Sequence, residues 1–245
     1  SEHYMSKYEA LDKLYKLNDS VRVRNLIISA LKDPFWKLRQ MSTESLGRYK
    51  GPDTTKLLDE IKALALNDPN NQVRSTAINV LSRKKRPQYE EVYLKGMNDS
   101  SYALVGASLL AYLKLNPADN KEKLAKFENE TNANIVEALS EYYATNYDST
   151  KYDWFVKRIK TSKPEGIYYI IQDFSRYLIK APVSKQTEGA KLLIPLAESS
   201  PFEFIRFSAY QSLGLFDLQF LTPIRKRIKE NEKSERLKNI YNSLP

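Results

Sequence analysis

Cysteine is absent from the 245 residues, which excludes disulfides, thiolate zinc sites, Fe–S ligation and thiol catalysis without deciding the compartment. Histidine occurs once, as His3. A zinc site of the usual type needs several imidazole or thiolate ligands, and a Ser-His-Asp triad needs a placed imidazole, so neither can be built here. Glycine is scarce, with seven residues against a usual share of about 7%. Sandwiches, barrels and nucleotide-binding folds spend glycine on turns and phosphate loops, and no G-x-G-x-x-G or G-x-x-x-x-G-K-[ST] occurs. No apolar run approaches the roughly 18–20 residues of a membrane span and no secretory core opens the chain, so no membrane partner is expected.

What is present points one way. Hydrophobic residues make up 42%, enough to bury a core, and they recur at three- and four-residue spacings. The class is all-α. Repeats then organise the chain. Asp33-Pro34-Phe35-Trp36-Lys37-Leu38-Arg39 matches Ser200-Pro201-Phe202-Glu203-Phe204-Ile205-Arg206, and each runs on to Leu-Gly, at Leu46-Gly47 and Leu213-Gly214. A third copy is Asp68-Pro69-Asn70-Asn71-Gln72-Val73-Arg74, and a weaker fourth begins at Asp99 with Leu104, Ser108 and Tyr112. Further copies centre on Ile135 and Ile170. The landmark apolar positions 38, 73, 104, 135, 170 and 205 are spaced by 35, 31, 31, 35 and 35 residues. Such a period, with two helices per unit, marks an α-solenoid: an α-α superhelix of about six to seven two-helix repeats.

Local chemistry sets the helix starts. Asp33, Asp68 and Ser200 are expected to cap helices, with the prolines that follow (Pro34, Pro69, Pro201) at the first helical position, where a missing N–H costs nothing. Asn116-Pro117 and Lys163-Pro164 mark further boundaries. Second amphipathic stretches run over Thr54–Leu66 and Thr187–Glu198, and an N-terminal helix over Tyr4–Leu17 carries Tyr8, Leu11, Leu14 and Tyr15. About fifteen helices result. With no linker or low-complexity segment, residues 1–245 read as one continuous helical-repeat domain.

Units with Asp-Pro at the start, an apolar-Arg pair five residues on and a small residue beyond resemble HEAT repeats, from about Val21 to Leu218 and best at 33–47 and 68–82. The phrase Ala30-Leu31-Lys32-Asp33-Pro34-Phe35-Trp36-Lys37-Leu38-Arg39 is more specific. It resembles the first strong repeat in the C-terminal helical domain of bacterial M1-family zinc aminopeptidases, and the Tyr8-Glu9-Ala10-Leu11 helix suits that setting. The family tends to have Gly-Val where this chain has Lys37-Leu38, and Ala where it has Met41-Ser42; residues 99–180 carry no family signature. The resemblance implies a non-catalytic domain that packs on the catalytic domain of the same polypeptide and limits which peptides reach it. Zinc would belong to that other domain, because the H-E-x-x-H that holds it is missing here. No catalytic, cofactor or metal residue is therefore expected in this chain. Ser1 in place of an initiator Met fits a fragment of a longer polypeptide.

The resemblance also implies a ladder of repeat Asp and Arg residues between neighbouring units, matched at Asp33/Arg39 and Asp68/Arg74 and broken at Asp99, where Val105 takes the arginine position. Arg39, Arg74 and Arg206 thus read as structural. Trp36, beside Phe35, reads as core or inter-repeat packing, and Trp154-Phe155 likewise. The tyrosine pairs Tyr142-Tyr143 and Tyr168-Tyr169 fit amphipathic packing better than a ligand groove. A net charge of +9 supports an alternative, nucleic-acid binding through Arg83-Lys84-Lys85-Arg86 and Arg225-Lys226-Arg227 with Lys229. A HEAT-like alkylbase DNA glycosylase would need a carboxylate and an arginine beside aromatics, and only Asp153-Trp154 approaches that. Arg83–Arg86 is at most a weak anion site, since a charge run before Pro87 reads as a solvated turn. A free-standing protein–protein scaffold is the third reading.

Overall fold

The computed structural model describes residues 2–14, 20–49, 54–117 and 121–244. Tyr15 and Leu17, expected in the opening helix, lie outside the described residues, as does Ser1. Among the described residues there are fifteen α-helices and no strand, and no helix is long and apolar enough to cross a membrane. The all-α helical-repeat fold read from the period is the fold observed. All six landmark residues (Leu38, Val73, Leu104, Ile135, Ile170 and Ile205) are at most 3% exposed.

The chain divides into two compact units, 1–138 and 139–245. Unit 1 opens with α1 (Glu2–Leu14) and continues with helix pairs: α2 (Val21–Ser29) with α3 (Trp36–Gly47), α4 (Thr54–Asn67) with α5 (Asn71–Ser82), and α6 (Glu90–Gly96) with α7 (Tyr102–Leu115). Short 3-10 turns at Ala30–Lys32 and Pro87–Tyr89 lead into α3 and α6. The second helices stack in a row, α3 on α5 and α5 on α7, while α4 and α6 back α5 and α7. This buries Ile27, Leu38, Leu58, Ile61, Val73, Ile78 and Leu109 in one continuous apolar layer. A five-residue α8 (Lys121–Ala125) precedes α9 (Ala133–Thr145), within which the unit boundary falls.

Unit 2 repeats the plan with α10 (Tyr152–Thr161) against α11 (Pro164–Leu178), α12 (Val183–Ser199) against α13 (Glu203–Leu213), and α14 (Leu221–Asn231) against α15 (Glu235–Ser243). Here α11 packs on α13. The core beside α10 is aromatic: the Phe155 ring lies 5.2 Å from Trp154, 5.4 Å from Phe174 and 5.0 Å from Tyr177. Phe155 and Phe174 are fully buried.

The prolines require a correction. Pro34, Pro69 and Pro201 do not occupy the first helical position; α3, α5 and α13 each begin two residues later, after the N-caps Phe35, Asn70 and Phe202. The acid ahead of the proline explains why. Asp33 and Asp68 accept the backbone N–H two residues on, Phe35 at 2.9 Å and Asn70 at 2.8 Å, which closes an Asx turn before the helix starts. Pro164 does stand at the start of α11.

Glycine scarcity has a packing counterpart at Gly106. A Cβ there would come within 2.5 Å of the Asn134 carbonyl oxygen, a backbone atom that cannot swing aside. At Gly166 the nearest atom would be Ser162 Cβ, at 3.9 Å. Gly106→Ala is therefore expected to destabilise despite a helix-propensity gain of about 1 kcal/mol, because overpacking costs about 1–3 kcal/mol. Gly166→Ala should instead stabilise slightly. Urea midpoints of the two variants, moving in opposite directions, check this.

Candidate functional site

The repeat signature residues form rungs between successive repeats. Arg39, on the first turn of α3, donates from Nε to Asp68 Oδ2 at 2.7 Å and from Nη2 to Asp68 Oδ1 at 2.9 Å. Its Nη1 holds the carbonyls of Asp33 and Pro34 at 2.9 and 3.0 Å. One guanidinium thus ties its own loop to the Asx turn that precedes the next repeat's helix, using the fork geometry that lysine lacks. Arg74 repeats the link to Asp99, at 2.9 and 3.3 Å. Asp33, the first rung, accepts from Lys7 at 3.0 Å. Burial opposes the charge on Asp33, but the Phe35 N–H and the cations Lys7 and Arg39 outweigh it and hold the carboxyl below its ordinary value.

At Val105 the arginine position is apolar, as in Ile171 of α11, and both side chains are buried. A rung reappears in unit 2. Arg206 grips Glu232 through Nε and Nη2, at 2.9 and 2.8 Å, and takes the Ser200 carbonyl with Nη1 at 2.8 Å. Glu232 was not visible in the sequence because it lacks the Asp-Pro mark. Its replacement signal is the Glu-Lys-Ser-Glu start of α15, where Glu232 accepts the N–H groups of Lys233 and Ser234, both at 2.9 Å. A cleft of about 590 Å³ borders this rung, between Ser200, Pro201, Arg206, Arg227 and Lys233, but two of its cations, Arg206 and Arg227, are already paired, with Glu232 and Glu198.

Several cations of the two basic runs are already engaged within their own units. Arg83 donates to both oxygens of Glu44 at 3.0 Å, and Lys85 sits in the turn with φ 48°, in the left-handed region. Arg86 is the N-cap residue of the next 3-10 turn. In α14, Lys226 lies 3.9 Å from Glu230, Arg227 pairs with Glu198, and Arg225 lies over the Tyr210 ring at 5.2 Å. Asp153 is exposed, whereas the neighbouring Trp154 ring is engaged by Tyr143 at 5.3 Å and by Arg158 at 5.4 Å. Among the described residues no group of three or more His, Cys, Asp or Glu side chains is placed to hold a metal.

Trp36, read as core or inter-repeat packing, is half-buried, against Phe35 at 6.2 Å with Lys37 over its ring at 5.4 Å; the buried residue of that turn is Leu38. The tyrosine pairs part company. Tyr142 and Tyr143 are buried, but Tyr169 is 50% exposed beside half-buried Tyr168. Tyr168 lies 5.1 Å from Tyr169 and 6.4 Å from Phe204, and Phe204 lies 5.6 Å from Phe202. Phe202 and Phe204 are each 40% exposed. Four linked rings at the N-terminal ends of α11 and α13 form a contiguous apolar patch, the kind of surface that marks an interaction site. Packing of α11 on α13, with Ser208 Oγ donating to the Tyr168 carbonyl at 3.2 Å, fixes their spacing.

Fold and rungs together define a helical-repeat protein. The chain is similar to YibA of Escherichia coli, known from an X-ray structure, with a TM-score of 0.54 and 18% identity over 99% of this chain and 96% of that one. At that identity the likeness is one of fold. No protein-family model matches the chain, and no curated protein does.

Proposed function

We propose that the chain is a non-catalytic helical-repeat scaffold that holds a protein partner on its exposed surface. The observation that carries this is the Tyr168, Tyr169, Phe202 and Phe204 patch, rigidly mounted on two packed helices. The repeat's own arginines support it from the other side. Arg39, Arg74 and Arg206 are spent on links between repeats, which stiffens the stack rather than arming a site.

A finer reading rests on the Ala30–Arg39 phrase: the C-terminal helical domain of an M1-like aminopeptidase, packed on the catalytic domain and limiting substrate access. In that setting the zinc chemistry belongs to the other domain and no residue of this chain ligates the metal. The purified chain is expected to retain no stoichiometric zinc and to cleave no aminoacyl-coumarin reporter; either activity would overturn the scaffold reading. Saturable binding to a separately expressed M1 catalytic domain is the result expected of the finer reading.

A further inference from the structure

A cleft of about 310 Å³ lies in unit 1, bounded by α1, α3 and α5. Tyr4 meets the Phe35 ring at 5.0 Å and Lys7 donates to Asp33 at 3.0 Å, so α1 starts beside the start of α3. The two helices run the same way. At about 1.5 Å per residue, the stretch from Tyr4 to Asp12 advances about 12 Å and comes level with Glu44 at the cleft. The floor there is apolar, with Leu11 buried and Met41 half-buried. The rim carries charge of both signs. On the α1 side stands Asp12, exposed and, among the described residues, without a hydrogen bond or ion pair. On the α3 side, Arg48 donates to Glu44 at 3.2 Å, and Arg83 of the next repeat donates to the same carboxylate at 3.0 Å. These arginines are the C-cap residues of α3 and α5, so the repeat itself brings them together. One carboxylate between two guanidiniums leaves a net positive charge, and each arginine uses only Nη2, with Nε and Nη1 spare among the described residues. Lys37, farther back along α3, is turned to Gln40 at 2.8 Å and to the Trp36 ring.

A simple anion in this cleft would meet the bare Asp12 carboxylate, and a simple cation would meet Arg48, so each alone is opposed. Asp12 is level with Glu44, and Arg48 follows Glu44 by one helical turn. That spacing suits one ligand that carries an ammonium and a carboxylate close together, the carboxylate meeting the fork of Arg48. The volume stands at the lower end of the range for ligand pockets, about 300–1,000 Å³, and the Leu11–Met41 floor offers it apolar contact. We infer that this cleft binds a free α-amino acid with an apolar side chain: Asp12 holds the ammonium group, Arg48 the carboxylate, and Leu11 and Met41 the side chain. The site goes beyond the scaffold reading and does not depend on it.

The test is isothermal titration of the full chain at neutral pH with leucine, N-acetyl-leucine, leucinamide and glycine. Leucine should bind about tenfold tighter than N-acetyl-leucine, which lacks the ammonium group, and than leucinamide, which lacks the carboxylate. Glycine, without an apolar body, should bind more weakly than leucine. Asp12→Asn should bring leucine down to the affinity of N-acetyl-leucine and leave N-acetyl-leucine itself unchanged. Arg48→Gln should bring leucine down to leucinamide and leave leucinamide unchanged. Both positions are exposed, and unchanged helical circular dichroism shows that the variants keep their fold. No binding of leucine, leucine no tighter than either derivative, or an Asp12→Asn variant that weakens leucine and N-acetyl-leucine alike would overturn the inference.

Discussion

Phe155→Ala is expected to cost unit 2 about 3–5 kcal/mol, the range for removing a fully buried ring and leaving a cavity behind. Three aromatic neighbours make the upper half of that range the expected one. Trp154, Phe174 and Tyr177 ring Phe155 within 5.4 Å, and Tyr152 closes on Phe174 at 5.7 Å. Each well-placed aromatic pair adds about 0.5–1.5 kcal/mol beyond the area it buries, and the truncation removes three of them at once. The flanking Tyr177 ring is held back from refilling the space, since its hydroxyl donates to the Asp148 carbonyl at 2.9 Å. Urea denaturation followed by far-ultraviolet circular dichroism measures the loss. Trp36→Ala is the control: a larger side chain is deleted, but from a half-buried position, so the expected cost is only about 1–2 kcal/mol. Equal losses at the two positions would show that Phe155 does not anchor this core.

That contrast shows what the sequence could and could not reveal. The 31–35 residue period locates the landmark positions because each repeat must bury an apolar residue on the same helix face: Leu38, Val73, Leu104, Ile135 and Ile205 each stand third in their helix, Ile170 stands seventh in α11, and all six are buried. Periodicity says which face of a helix is apolar, but not how far a neighbouring repeat reaches across it. Trp36 lies at the edge of that reach and Tyr169 beyond it, although both look like packing residues in the sequence. Rungs follow the same logic. Arg39–Asp68 could be read from paired Asp-Pro and Leu-Arg marks, whereas Arg206–Glu232 depends on an acid 26 residues away whose only mark is the backbone it caps. The prolines were misplaced by two residues because an aspartate side chain that closes its own turn competes with the helix for the same N–H groups.

Glu232→Ala is the second large effect, expected at about 3–5 kcal/mol, because the Arg206 guanidinium would remain mostly enclosed without its counter-charge. Arg206→Met combined with Glu232→Gln should cost far less. It removes both charges, and the glutamine carbonyl can still accept the Lys233 and Ser234 N–H groups. The double-mutant cycle isolates the pair, and additive single losses would mean that the rung carries no coupling. Acid titration offers an independent reading. Burial disfavours the Glu232 carboxylate, but Arg206 and the two backbone N–H groups more than offset it, so the folded carboxyl titrates below its ordinary value of 4.5. The stability it contributes is complete above that value and is lost as pH falls below it, and Glu232→Gln should flatten that loss. Asp173 has the opposite sign. Burial raises its carboxyl above the ordinary 3.8 even though Ser140 and Arg176 both donate to it. Its charge therefore opposes folding at neutral pH, and lowering the pH toward 3.8 relieves the penalty. Asp173→Asn should accordingly remove a compensating gain and make the acid unfolding of unit 2 steeper, while Glu232→Gln makes it shallower. If the two variants change the acid limb in the same direction, the opposed roles assigned to these carboxylates are wrong.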